Sequence, residues 1–130
     1  MAAKLLGGGA HILVCERAAR GPVCTLIKRL RYGVTACASL EQALHSTTST
    51  PVDLAVIVTE QDLDADVGLL QLLRRALPRT PFVLVLDNPT PAARLATLTV
   101  RPFYVAVPPI GAEEMAAVIR DGLALARKKR

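Results

Sequence analysis

Short apolar runs alternate with amphipathic stretches along most of the chain. Five runs of five or six residues are rich in Val, Leu, Ile and Ala, and they cover residues 11–15, 34–38, 53–58, 81–86 and 103–107. Runs this short and this continuous are typical of strands that are covered on both faces. The pattern therefore predicts five strands of a largely buried sheet.

Helical patterns fill the gaps between these runs. The first has apolar residues at i, i+3, i+4 and i+7, continues to about Tyr32 and is closed by Gly33. Ser39 followed by Gln42 forms a capping-box pattern that opens a short helix. Residues 60–66 are predicted as an acidic loop. The four later predicted helices cover residues 39–45, 68–77, 92–100 and 112–127.

Strict alternation of strands and helices predicts an α/β domain in three layers, α/β/α, with a five-stranded parallel sheet. We expect one domain over residues 11–126, because no internal linker or repeat interrupts the pattern. Residues 1–10 contain three consecutive glycines and are predicted to be a flexible leader. Residues 127–130 are predicted to be a basic tail or the start of a linker.

The composition of the chain indicates its cellular compartment and whether a cofactor is expected. Half of the residues are apolar (52%), and no apolar run approaches the ~20 residues of a membrane span. Three cysteines without CxxC spacing are most simply explained as small buried residues of a reduced, cytoplasmic protein. No metal-ligand or phosphate-loop pattern is present, so we expect neither a metal nor a cofactor.

The net charge of +5 is concentrated at one end of the chain. Residues 127–130 carry +4 of it, so the remaining residues are nearly neutral in total. Aromatic residues make up only 3% of the sequence, which leaves few side chains for base stacking. Direct binding of nucleic acid is therefore not expected.

Six segments, in this order and at this spacing, resemble a response regulator receiver domain of the CheY-like type over about residues 10–126. They are residues 12–16, 31–44, 51–58, 78–86, 104–109 and 111–119. The resemblance implies a flavodoxin-like sheet with strand order 2-1-3-4-5. It also implies a role in bacterial two-component signal transduction, phosphorelay or transcription regulation.

Receiver domains transfer a phosphoryl group to an aspartate at the end of the third strand, with Mg²⁺ held by two acidic residues after the first. A hydroxyl residue and a lysine, after the fourth and fifth strands, contact the phosphoryl oxygens. The resemblance places these five positions at Glu16 and Arg17 (acidic pair), Val58 (phosphoacceptor), Leu86 (hydroxyl) and Val107 (lysine). One acid survives, so we expect a non-enzymatic pseudo-receiver in which the three aliphatic side chains close the former pocket.

Other features of the resemblance point to protein partners. Tyr104 occupies the position of the aromatic switch residue, and Pro108 is the proline that usually follows a cis peptide bond. The surface of the fourth helix, fifth strand and fifth helix commonly docks partners in this family. Here it is expected to include Arg94, Arg101, Tyr104, Glu113, Glu114 and Arg120. The expected partners are another protein, a fused output domain or a second copy of the chain.

Two other functions remain open at this stage. The chain could be a phosphorylatable response regulator that uses a displaced acidic residue of the nearby loops, such as Glu60, Asp62 or Asp87, or the hydroxyl of Thr59. Alternatively, the domain could bind a small ligand at its strand ends. Asp62, Asp64 and Asp66 form a D-x-D-x-D pattern but lack the glycine and glutamate of a calcium loop. An acidic loop at a helix N-terminus is the simpler explanation.

Overall fold

The structure is a computed structural model that describes residues 10–16, 21–59, 63–86 and 91–128, with the backbone alone at 63–66 and 92. Strands and helices alternate in it: β1 (His11–Cys15), α1 (Pro22–Lys28), β2 (Gly33–Cys37), α2 (Leu40–Ser46), β3 (Leu54–Thr59), α3 (Leu63–Ala76), β4 (Phe82–Leu86), α4 (Pro91–Val100), β5 (Tyr104–Ala106) and α5 (Ala112–Lys128). Some residues named in the sequence analysis lie outside the described ranges. They are the predicted leader before Ala10, together with Arg17, Glu60, Asp62, Asp87, Lys129 and Arg130.

The five strands form one parallel sheet in the order β2-β1-β3-β4-β5, which confirms the predicted architecture. Ile12, Leu13 and Val14 of β1 are fully buried, as are the central residues of β3 and β4. Successive residues of a strand point to opposite faces, so each central strand supplies both sides of the sheet. One apolar cluster joins the sheet to α2, α3 and α4, and the other joins it to α1 and α5.

Local signals start the early helices. Pro22 occupies the first turn of α1, where its missing N–H leaves no helical hydrogen bond unmade. The Ser39 hydroxyl accepts a 3.1 Å hydrogen bond from the Gln42 N–H at the start of α2. The Gln42 side-chain oxygen accepts in turn from the Ala38 N–H at 2.9 Å. The predicted capping pair is therefore present, with its return bond one residue earlier than in the usual capping box.

Besides one-residue shifts at several element ends, three features differ from the sequence-based prediction. The first helix ends at Lys28 instead of Tyr32, and Gly33 begins β2 because its N–H bonds to the Ala10 carbonyl at 3.2 Å. Residues 63–66, predicted as loop, form the first turn of α3, where acidic residues suit the helix dipole. The cis peptide bond joins Pro108 to Pro109, one residue after the expected place.

A buried carboxylate ties β1 to β3 at the amino edge of the sheet. Asp53 accepts a 2.8 Å hydrogen bond from the His11 N–H, and its own N–H donates to the His11 carbonyl at 2.8 Å. The His11 ring contacts the Thr35 hydroxyl at 2.6 Å, which extends the connection to β2. This network fixes the register of three neighbouring strands.

Two arginines adopt a backbone conformation that favours glycine. Arg31, before β2, has φ 65°, and Arg101, directly after α4, has φ 50°. The left-handed region brings Cβ close to the backbone of an L-residue. Both residues lie at the end of the molecule where the strands begin.

Within the described residues, none of the helices combines the length and the apolar character that crossing a bilayer would require.

Two helical glycines predict opposite responses to alanine. A Cβ on Gly122 of α5 would lie 2.7 Å from Leu54 Cδ1 and 2.8 Å from Phe103 Cζ, whereas a Cβ on Gly68 of α3 meets nothing within 4 Å. We expect Gly68→Ala to raise the free energy of unfolding by about 1 kcal/mol. Gly122→Ala should lower it, because overpacking costs about 1–3 kcal/mol. Urea denaturation measures both, and equal shifts in the two variants would contradict the close approach.

Candidate functional site

The carboxyl edge of the sheet is where parallel α/β folds place their sites. In this chain the described residues at that edge are Glu16 after β1, the ends of β3 and β4, and Val107 after β5. All five helices run back from this edge toward the amino edge, because every strand pairing is parallel.

Glu16 is buried, with 4% of its surface exposed, and it caps helix α1. One carboxylate oxygen accepts from the Val23 N–H at 3.2 Å, and the other accepts from the Cys24 N–H at 3.0 Å. The first N–H groups of a helix have no partner inside the helix, and they carry the positive end of its dipole. Glu16 therefore satisfies two of them and neutralises part of that charge.

Gly21 makes this contact sterically feasible. A Cβ on Gly21 would lie 2.3 Å from the carboxyl carbon of Glu16, closer than any two such atoms approach. The residue before α1 therefore has to lack a side chain for the carboxylate to reach the helix. The pair of Glu16 and Gly21 forms a capping unit that uses the carboxylate as a structural group.

The three aliphatic residues of the former pocket do not come together. Val58 is half-buried and packs with the cluster under α1 and α5, whereas Leu86 packs with the cluster under α2, α3 and α4. Val107 lies beyond β5 with 63% of its surface exposed. The predicted single apolar plug is therefore wrong, because strand alternation sends Val58 and Leu86 to opposite faces. None of the three supplies a nucleophile, a hydroxyl or a cation.

Thr59 is the hydroxyl nearest to the phosphoacceptor position in the described chain. It ends β3, is 5% exposed, and donates a 2.9 Å hydrogen bond to the Val85 carbonyl of β4. Phosphorylation of this oxygen would require the bond to break and a dianion to enter a buried place. Thr59 is thus engaged in holding the two strands together.

Tyr104 is tied to the start of α5. Its hydroxyl donates a 2.6 Å hydrogen bond to a Glu114 carboxylate oxygen, and the ring packs half-buried beside Phe103. The hydrogen bond to Glu114, followed by desolvation and the carboxylate charge, raises the pKa of the Tyr104 phenol. The predicted switch residue and Glu114 are therefore brought into direct contact.

The other predicted interface residues are spread over the molecule. Arg94, Glu113 and Arg120 are exposed on α4 and α5, with Glu113 in the first turn of α5 at the carboxyl edge. Arg101 follows the last turn of α4 and lies at the opposite edge. The charges of this face thus do not form one compact group.

Exposed apolar side chains on the same face were missed by the sequence analysis. Leu95 and Leu98 project from α4, and Leu98 is 74% exposed. Val105 is exposed on the edge strand β5 and shares its sheet face with α4, because Tyr104 and Ala106 pack against the other face. The signal was available: both leucines fall off the buried stripe of Ala93, Ala96 and Val100.

In the described part of the chain, no group of three or more His, Cys, Asp or Glu residues could hold a metal ion. Arg17, the second position of the acidic pair, and the loop residues Glu60, Asp62 and Asp87 lie outside that part. Asp64 and Asp66 lie in the first turn of α3, where the structure describes the backbone alone.

Comparison with solved structures identifies the architecture. A CheY-like response regulator receiver domain from Methanospirillum hungatei JF-1 superposes with a TM-score of 0.78 at 15% identity, covering 93% of this chain and 98% of its own. The chain has the fold of a receiver domain. No protein-family model matches the sequence, and a comparison with curated proteins finds no match.

Two further receiver structures come from larger proteins. The receiver domain of an HD domain-containing protein from Pseudomonas fluorescens Pf-5 has a TM-score of 0.76 at 19% identity, covering 92% of this chain and 98% of its own. That of a modulated diguanylate cyclase from Desulfovibrio desulfuricans G20 has a TM-score of 0.73 at 18% identity, with the same coverages. At these identities the likeness establishes the receiver fold alone.

The capping role of Glu16 predicts a loss of stability when the carboxylate is removed. Glu16→Ala leaves two buried N–H groups without an acceptor, which should lower the free energy of unfolding by about 1–3 kcal/mol. Glu16→Gln keeps one oxygen acceptor and should lose less. Glu41→Ala, at an exposed position in the first turn of α2, is the matched control and should stay within about 0.5 kcal/mol.

Urea denaturation with and without Mg²⁺ separates capping from metal binding. We expect Mg²⁺ to leave the stability of the wild-type chain unchanged. An increase with Mg²⁺ that Glu16→Ala abolishes would show that Glu16 is a metal ligand instead of a cap.

Proposed function

We propose that this chain is a non-enzymatic receiver-like module of signal transduction that acts through protein–protein contacts and takes no phosphoryl group. The receiver fold supplies the class of protein. The residues at the phosphorylation positions are the reason to propose that the usual phosphoryl transfer does not occur.

The observation that carries the proposal is the use of Glu16. In a receiver of the usual kind, acidic residues after the first strand help to hold Mg²⁺. Here both oxygens of the described acid accept N–H bonds from α1, within a unit closed by Gly21. With Val58 in place of a carboxylate nucleophile, the described residues of this edge offer neither the acceptor nor the charge that assists transfer.

Thr59 is poorly suited to be a displaced acceptor. Thr59 is buried and bonded to the Val85 carbonyl, so its hydroxyl is not presented to a phosphodonor. A small phosphate-bearing ligand is likewise disfavoured, because Val58, Leu86 and Val107 offer it no polar contact.

Treatment with acetyl phosphate and Mg²⁺ tests the proposal directly. We expect the intact mass of the chain to stay unchanged, because position 58 offers no nucleophile. A phosphorylatable receiver domain in the same tube is the control, and it should gain about 80 Da. A base-labile adduct of that mass on this chain would overturn the proposal and locate the displaced acceptor.

The exposed apolar residues of α4 and β5 are the surface best suited to a protein partner. Leu95, Leu98, Val105 and Val107 leave apolar area exposed around a three-residue edge strand. Exposed apolar area of this kind commonly marks an interaction site, and an edge strand with open backbone groups favours contact with another chain.

A second copy of the chain fits this surface. Arg94 lies on α4, whereas Glu113 lies on α5, so a two-fold axis between copies can bring opposite charges together. Exposed ion pairs are individually weak, so the apolar residues would supply most of the affinity. A fused output domain is the alternative occupant, since two of the compared receiver domains belong to larger proteins.

Two exposed leucines make a matched test. Leu95→Glu should shift the chain toward the monomer, because it places a charge on the apolar surface of α4 and β5. Leu72→Glu alters a similarly accessible leucine on α3 and should leave association unchanged. Sedimentation velocity over a concentration series measures both, and a wild-type chain that stays monomeric throughout would rule out the homodimer.

A further inference from the structure

The amino edge of the sheet collects most of the exposed positive charge. Every helix ends at this edge, and cations occupy the last turns of α1, α3 and α5 and the loops that follow α1, α3 and α4. We call this surface the basic end. It consists of Lys28, Arg29, Arg31, Arg75, Arg79, Arg101, Arg127 and Lys128, all eight of them exposed.

The end of α5 projects beyond the sheet. Gly122 lies against Leu54 at the start of β3 and against Phe103 just before β5, so residue 122 is already level with the amino edge. The helix continues to Lys128, about 9 Å further at 1.5 Å per residue. Because α1 and α5 flank the same apolar cluster, Arg127 lies on the same side of the sheet as Arg29.

Few carboxylates oppose these charges. Of the acidic residues in the described ranges, only Asp53 and Asp121 lie near the amino edge. Asp53 is buried and accepts the His11 N–H, and Asp121 is on the outer side of α5, six residues before Arg127. The other described acids lie in the first turns of α2, α3 and α5 or cap α1, at the opposite edge.

A further arginine, Arg74 in the last turn of α3, is half-buried at the same edge. Arg74 stacks 4.6 Å above the Phe82 ring and donates a 2.7 Å hydrogen bond to the Thr80 carbonyl. Burial, and then the positive charge of Arg101, lower the pKa of the Arg74 guanidinium. Arg74 thus adds a half-buried positive charge at the same edge as the eight exposed cations of the basic end.

The chemistry of this surface favours one class of partner. Of the exposed large apolar side chains of the described chain, Leu98 in the last turn of α4 is near the basic end, and the others lie on the outer sides of α3 and α4 and near β5. Protein interfaces usually need an apolar centre with few charges, whereas nucleic-acid interfaces are strongly positive and polar. Exposed Thr48 and Ser49, in the loop before β3, add hydroxyl groups suited to phosphate contacts.

We propose that the basic end binds the phosphate backbone of double-stranded nucleic acid without regard to sequence. Within the described residues the Phe and Tyr rings at this end are buried or half-buried, which disfavours stacking on single strands, and loops and helix ends, not a helix face, are presented. The inference goes beyond the proposed signalling function. It also differs from the sequence-based expectation that the chain does not bind nucleic acid directly. That expectation rested on a nearly neutral total charge, whereas the positive and negative residues are separated between the two edges of the sheet.

Fluorescence anisotropy of a labelled 20-base-pair duplex tests the proposal between 50 and 300 mM salt. We expect binding that weakens steeply with salt, by about 0.9 in the log–log slope for each phosphate contacted. Arg29→Glu/Arg127→Glu and Arg75→Glu/Arg79→Glu should each reduce that slope by about 2. Each should also weaken binding about tenfold or more at 150 mM salt.

Arg94→Glu, compared with the single variants Arg29→Glu and Arg79→Glu, makes the same change of net charge in the first turn of α4, away from the basic end. Because charges are screened over about 8 Å at 150 mM salt, this control should bind nearly as the wild-type chain does. Circular dichroism and melting temperature confirm that each variant is folded. Equal weakening of duplex binding by the control and the test variants would overturn the proposal, because it would show that binding depends on net charge and not on the basic end.

Competitors identify the source of the anion. Unlabelled duplex should displace the probe at lower concentration than polyglutamate, or than phosphatidylserine vesicles compared by total anionic charge. Stronger competition by polyglutamate would assign the basic end to an acidic protein partner, and stronger competition by vesicles would assign it to a membrane surface. Either result would overturn the nucleic-acid proposal, and neither would alter the expected failure of phosphorylation.

Discussion

Burial of the central strands on both faces is the constraint from which the rest of the molecule follows. Residues of β1, β3 and β4 are fully buried and apolar, so both sides of the sheet must be covered by helices. Parallel strands need crossover helices that all run in the opposite direction. Apart from the outer sides of the helices, polar groups are therefore found at the two edges of the sheet: one edge receives every helix start and the other every helix end. Acids and cations separate between those edges as the helix dipoles favour.

Within this frame, Glu16 acts as a helix cap at the carboxyl edge of the sheet. A carboxylate that follows β1 at the carboxyl edge can face outward to a cation or inward to a helix start. Gly21 removes the side chain that would block the second arrangement, and two N–H groups of α1 then take both oxygens. The receiver architecture is kept because its stability comes from the apolar clusters, which do not depend on phosphorylation chemistry.

Periodicity was sufficient to predict the strands, the layers and the capping of α2, because these depend on local patterns and on buried apolar area. The extent of α1 was overestimated, since residues 29–32 are needed to reach β2 and tertiary pairing decides where Gly33 lies. The capping by Glu16 could not be predicted, because its partners Val23 and Cys24 are seven and eight residues away across a loop. The separate directions of Val58 and Leu86, and the exposure of Val107, likewise depend on register and on edge position.

At Arg31 and Arg101 the left-handed backbone lowers stability, whereas the side chains supply positive charge. Each conformation is disfavoured by about 1–2 kcal/mol for an L-residue, and glycine would relieve that strain. Relief would also remove two of the eight exposed cations at the edge where the strands begin. Replacing Arg31 and Arg101 by glycine to raise the melting temperature would thus weaken the positive electrostatic potential of the basic end.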